Sequence, residues 1–212
     1  MYEKRSQPFL TKLPGFITYW EEQKLSDPDA EFYLEEAQNA YKEKKYARTC
    51  NCLGSLYFLV KDFKLSQELF NKVSKYAQEE DDLMEYAHSL VNLAKISREK
   101  GDTLIAELDL LIAQDVLDNC FDGFSLVQWL ILEETVVIQV IGKNIELIGD
   151  SINDLLSANE KYNAYKPEQM KNWLENLVIN YCKDDVDIEC KEIKHMLEEA
   201  INQIADTVSS VG

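Results

Sequence analysis

The feature that most constrains this chain is the spacing of its breaks. Short polar turns fall at Lys61-Asp62, Gly101-Asp102, Gly142-Lys143 and Cys182-Lys183, about 40, 41 and 40 residues apart. Longer polar breaks fall between them, at Glu79–Asp82, Asn119–Gly123, Tyr162–Lys166 and Asp184–Asp187. Each period therefore has room for two helices, with a tight turn inside the pair and a looser connection to the next. A fixed period of this length is the mark of a stacked helical array. Only 7 Gly and 4 Pro occur in 212 residues, so the many tight turns of a sandwich or barrel are not provided for. Leu, Glu, Lys, Ala and Gln, all strong helix formers, fill most of the intervening positions.

The spacing predicts units at 46–81, 82–123, 124–166 and 167–209, with a partial pair at 15–43. Residues 1–14, punctuated by Pro8 and Pro14, read as a flexible N-terminal lead. In the stretch 15–25, Phe16, Tyr19 and Trp20 share one helical face. Asp27 reads as an N-cap with Pro28 at the first helical position, opening a helix to about residue 43. At the other end, 186–208 carries an apolar stripe of Ile188, Ile193, Met196, Leu197, Ala200, Ile201, Ile204 and Val208. It reads as a capping helix with a polar outer face, or alternatively as a docking helix for a partner.

Two of the units carry a more specific pattern. In 50–73, Leu53-Gly54, Tyr57, Phe63 and Phe70 lie across two helical segments broken by Lys61-Asp62. Leu93-Ala94, Ser97, Gly101-Asp102, Ala106, Leu110 and Ala113 repeat that layout 40 residues later. The pattern resembles the tetratricopeptide (TPR) repeat, in the longer variant whose period is about 40 residues. In the third and fourth units only Thr135, Ile138, Leu147, Leu174 and Val178 align with it. The resemblance implies an all-α chain. It would be a right-handed α-solenoid of antiparallel helix pairs, about nine to ten helices, forming a single domain over 15–212. In that family the small residue after the Leu lets the two helices of a pair approach closely. Ligand-facing positions lie on the first helix of each pair. Transferred to this register, they are Arg48, Asn51, Ser55 and Phe58, then His88, Val91, Lys95 and Arg98, then Trp129 beside Leu132 and Val136. Such a groove would run from basic to apolar.

Charge narrows the partners. The formal net charge is -17, which argues against nucleic acid, whose phosphates require a basic surface. The charge is uneven. Residues 41–100 carry 11 Lys and Arg against 9 Asp and Glu, whereas residues 101–160 carry one basic residue, Lys143, against 12 acidic ones. Beyond solubility, such an acidic region suits a basic partner segment. The five cysteines show no zinc-like spacing, and Cys50 and Cys52 point about 200° apart on a helix. With no apolar leader at the start, the reading is a reducing cytoplasm, or the nucleus, with free thiols. The apolar run 124–142 resembles a membrane span in length, but Glu133-Glu134 at its centre argues against insertion.

No catalytic pattern stands out. His88 and His195 are the two histidines, and neither belongs to a metal motif. Adjacent helix positions point about 100° apart, so Glu133 and Glu134 do not converge on one substrate atom. No cofactor motif occurs. These readings lead to the expectation of a non-enzymatic adaptor or scaffold that binds a peptide or helix of a partner protein in a concave groove. The alternatives are a constitutive subunit of a multiprotein assembly and a peptide-sensing regulator.

Overall fold

The computed structural model describes residues 7–23, 25–121, 123–182 and 187–210. Among these residues the chain is all helical, with eleven helices and no strand. It forms two compact units, Met1–Phe121 and Asp122–Gly212, where the sequence suggested one continuous domain.

The first unit contains α1 (Gln7–Leu10), α2 (Leu13–Glu21), α3 (Pro28–Lys42), α4 (Tyr46–Leu59), α5 (Phe63–Glu80), α6 (Leu83–Glu99) and α7 (Thr103–Cys120). The lead read as flexible is folded from residue 7 onward. Phe9 and Leu13 are buried, because α2 lays an apolar face on α3 and α4 and Phe9 of α1 joins the same core beside Phe16. Tyr57 of α4 receives that face. The rings of Phe16, Trp20 and Tyr19 lie 5.9, 5.3 and 6.3 Å from its own. The shared face expected of the three aromatics is therefore used inside the chain.

Helices α4 and α5 form a hairpin, as do α6 and α7, and α5 packs on α6. The turns that close them are chemically alike. Lys44, Lys61, Asp81 and Gly101 adopt left-handed backbone conformations, with φ of 62, 61, 56 and 83°. In each case the next amide donates back to a carbonyl five residues earlier. The bonds are Lys45 N to Ala40 O, Asp62 N to Tyr57 O, Asp82 N to Ala77 O and Asp102 N to Ser97 O, all 2.9 Å. This is the Schellman closure, which satisfies carbonyls left over at a helix end. Three of the donors are aspartates that also cap the next helix. Asp62, Asp82 and Asp102 accept from the amides of Leu65, Glu85 and Ile105 at 3.1, 3.1 and 3.3 Å. One residue thus ends one helix and begins another, so two helices reverse within two residues. The Asp81-Asp82 connection, expected to be looser than the turns inside pairs, is equally tight for this reason.

Helix α4 lacks such an aspartate, since Lys45 offers no side-chain acceptor. Glu80, at the far end of α5, supplies it. Its carboxylate accepts from the amides of Tyr46 and Ala47 at 2.7 and 3.2 Å. The N-terminus of α4 and the C-terminus of α5 are tied together by this cap, and burial pushes the Glu80 carboxyl above its ordinary value.

The α4–α5 hairpin closes on Gly54. The ring of Phe70 covers it so closely that a Cβ there would sit 2.6 Å from Cε1 of Phe70. Ser66 Oγ donates to the Gly54 carbonyl at 2.8 Å. In the α6–α7 hairpin the corresponding positions are Ala94, Ala106 and Leu110, all buried. A methyl replaces hydrogen where the large partner shrinks from Phe to Leu.

The second unit holds α8 (Leu126–Gly142), α9 (Ile145–Tyr162), α10 (Pro167–Tyr181) and α11 (Ile188–Ser210). Helix α8 packs on α9 and α10, and α11 on α10 and α9. Their core is built on Val136, Ile148, Ile152, Leu155, Met170, Leu174, Ile193 and Leu197. Lys143 and Asn144 repeat the left-handed turn, with Asn144 N donating to Gln139 O at 3.0 Å. Cys182 ends α10, with its amide donating to Val178 O at 3.0 Å, but Lys183 of the expected turn and most of the break at 184–187 lie outside the described residues, as does the expected start of the last helix at Val186. No helix among the described residues is long and apolar enough to cross a membrane. In α8, Glu134 is buried, and burial together with the nearby Glu133 carboxylate pushes the Tyr165 hydroxyl up to about 12.

The Gly54–Phe70 contact sets a direct test. Gly54→Ala gains helix propensity of up to about 1 kcal/mol but overpacks the hairpin, at roughly 1–3 kcal/mol. The net expectation is a lower urea midpoint. Adding Phe70→Leu, which reproduces the Ala94 and Leu110 pairing, recovers more stability than the two single changes predict by addition. Simple additivity in urea titrations would show that the contact does not limit the approach of the two helices.

Candidate functional site

The eight expected ligand-facing residues of the first unit fall on α4 and α6, which pack against each other. The structure sorts them by burial. Asn51 is 2% exposed, Ser55 8% and Val91 0%, so these three form the helix contact and present no surface to a ligand. The reason is geometric. With α3 on one side of α4 and α6 on the other, almost every position from Thr49 to Tyr57 is covered. Phe58 is half-buried, with its ring 5.6 Å from that of Phe63 across the hairpin turn. Trp129 belongs to the second unit and is also buried, packing edge-on at 5.2 Å to Tyr165, so the expected basic-to-apolar groove does not gain it as a surface.

Arg48, His88, Lys95 and Arg98 are exposed or half-buried. They are not a bare cationic stripe, because carboxylates from two helices, α3 and α6, accompany them. Arg48 pairs with Glu36 of α3. Glu85, one turn before His88 on α6, sits between α4 and α6 and accepts from Asn51 Nδ2 at 2.6 Å, while its backbone carbonyl takes a second bond at 2.9 Å. Arg98 pairs with Glu99 at 2.6 Å. Ser55 continues the network by donating to the Asn51 carbonyl at 3.0 Å. Tyr33 of α3 lies close by, and burial pushes its hydroxyl above the ordinary value.

The network is only partly hydrated, and its titrating groups show it. Burial pushes the Glu85 carboxyl up, against the opposing pull of its bond from Asn51 and of nearby Arg48. Burial also pushes the His88 imidazole down, to about 4, with Lys95 and Arg48 adding like-charge repulsion. A neutral imidazole thus stands between two cations at neutral pH. Cys52 lies beside this network, its thiol pushed up to about 12 by burial, so it is an unreactive thiol.

Sequence reasoning placed the cations on this face and missed Glu36 and Glu85. Glu85 had a readable signal, being three residues before His88 and so on the same helical face. Glu36 had none, since only the packing of α3 brings it to Arg48. Among the described residues no group of His, Cys, Asp and Glu is arranged to hold a metal. His195 lies exposed on α11, 3.3 Å from Glu199.

No protein-family model, curated protein or solved structure matches this chain.

His88 gives a pH-dependent expectation. Its folded-state value, about 4, lies below its ordinary 6.5, so between these limits the unfolded chain binds the extra proton. Stability contributed by the neutral imidazole is therefore intact above about pH 6.5 and lost as pH falls toward 4, at up to about 1.4 kcal/mol per pH unit. Glu85 acts in the opposite sense, since its raised value favours the folded state as pH falls. Replacing His88 with Gln should flatten the fall in urea-unfolding free energy from pH 6.5 to 4.5. An unchanged slope would place the imidazole in water.

Proposed function

We propose that this chain is a non-enzymatic protein–protein interaction adaptor of TPR-like construction, binding a peptide or helix of a partner on the α4–α6 face. The observation that carries the reading is the network just described. Arg48, Glu85, His88 and Lys95 form a mixed-charge cluster on two adjacent first-of-pair helices, and its half-buried members Glu85 and His88 are held away from their ordinary protonation behaviour. Clusters of this kind, partly desolvated and only partly paired, concentrate at binding sites. The period, the hairpins and the Gly54 contact support the solenoid construction, in which consecutive first helices line one concave side.

The mixed signs change what suits the face. A purely acidic peptide would meet Glu36 and Glu85 as well as Arg48 and Lys95. A segment with one carboxylate for Lys95 and a hydrogen-bond donor for Glu85 suits it better. A second reading, a constitutive subunit of a multiprotein assembly, is favoured by one observation: α7 turns large apolar side chains outward.

Arg48→Glu with Lys95→Glu reverses the two accessible cations and leaves Arg98 in its pair. In affinity purification with the tagged full chain, partners held by this face are lost with the double variant while the helical circular dichroism signal is kept. If the same proteins are recovered at the same yield, the α4–α6 face is not where they bind.

A further inference from the structure

Helix α7 has two apolar faces, where a surface helix ordinarily has one. Ala106, Leu110, Ala113 and Leu117 are buried, and α7 packs on α6. On the other side Leu104, Ile105, Leu108, Leu111 and Ile112 stay exposed, Leu104 at 77% and Leu111 at 68%. At about 100° per residue these five cover an arc of roughly 120°. The stripe is about 12 Å long, at 1.5 Å of rise per residue. Scattered exposed apolar residues are ordinary, but five contiguous ones on one helix face mark a contact surface.

The rim of this stripe is acidic. Glu107 and Asp118 follow one edge, Asp109 lies on the other, and Asp115 stands at the C-terminal end. Helix α7 contains no Lys or Arg. Burial at the stripe's edge pushes the Asp109 carboxyl above its ordinary value. A second copy of this chain would bring the same carboxylates against these, at a net charge of -17 on each molecule. Self-association through the stripe is therefore opposed by repulsion.

We propose that the outward face of α7 is a docking site for a basic amphipathic helix of a partner protein. The occupant places Leu- or Ile-type side chains on Leu104, Leu108 and Leu111, and Lys or Arg along both flanks against Glu107, Asp109 and Asp118. Apolar contact supplies the affinity, as in helix-on-groove recognition, and the acidic rim supplies orientation and selects against acidic helices. This site stands apart from the α4–α6 face and does not depend on it.

The test uses the full chain and synthetic helical peptides about five turns long, with one leucine face. One peptide carries lysine flanks, one glutamate flanks, and one has the composition of the first scrambled to remove the apolar face. Fluorescence anisotropy should show binding of the first peptide alone, weakened by salt. Leu108→Glu with Leu111→Glu should weaken it at least about tenfold, a cost of roughly 1.4 kcal/mol or more. That variant makes the surface more acidic. If the peptide were held by charge alone, it would bind the variant more tightly, and that result overturns the proposal. Equal binding of the lysine and scrambled peptides overturns it too, as does failure of the lysine peptide to bind. Sedimentation of the unaltered chain as a dimer that the variant disperses would assign the stripe to a second copy instead. Both substituted positions face water, so circular dichroism should show an unchanged helix signal in the variant.

Discussion

The structure of the first unit depends on how its helices end. A helix leaves four carbonyls without partners, and burying such an end is costly. Here a left-handed residue followed by the donor of a five-residue back-bond satisfies them, at Lys61-Asp62, Asp81-Asp82 and Gly101-Asp102. Because the same aspartate caps the following helix, no linker is needed. The chain folds back at once, and helices of nearly equal length are laid side by side. Their lengths, their antiparallel pairing and the register of their contacts follow from the twenty-residue spacing of these turns. Only at Gly101 is the left-handed residue a glycine. Lys and Asp elsewhere accept modest backbone strain that the back-bond offsets.

Given that frame, side-chain size sets how closely neighbours approach. Gly54 and Phe70 are a matched pair, one giving the space that the other fills. Where the pair becomes Ala94 and Leu110, the same hairpin is built with the volume divided differently. The close packing has a consequence for the polar face. Asn51, Ser55 and Val91 are drawn into the contact between helices, leaving Arg48, His88 and Lys95 at its edge, with Glu85 between the helices and hydrogen-bonded to Asn51. The polar face is therefore a network already committed to internal hydrogen bonds, and a partner of the kind proposed would have to replace or extend them.

The two candidate surfaces differ in kind. The α4–α6 face is polar, mixed in charge and partly paired. The outward face of α7 is apolar with an acidic rim. On the proposed readings, surfaces so unlike would take different segments. The charge division along the sequence corresponds to this difference, since the locally basic stretch 41–100 includes α4 to α6 and the acidic stretch begins at α7.

Much of the fold was legible because helix ends and hairpin contacts are local. The polar turns at Lys61-Asp62 and Gly101-Asp102, the Asp27 cap with Pro28, the Gly54 approach and the aromatic face of α2 all involve residues whose roles follow from type and short spacing. The division into two compact units was not legible, because it depends on contacts summed over the whole chain. Nor was the folding of residues 7–14, whose prolines read as breaks but sit where a helix begins and tolerates them. For the site, periodicity selected the helices and the cations, and packing then decided which of them see solvent. Glu36 reached Arg48 through α3, and Glu80 capped α4 at Tyr46 from 34 residues away. By itself, then, the sequence determined an all-helical chain with hairpin turns at a fixed period, because dihedral preference and capping act within one turn. Only the tertiary structure decided which face of each helix was left over. Two apolar faces on α7 look identical in sequence, and one of them is covered only because α6 lies against it.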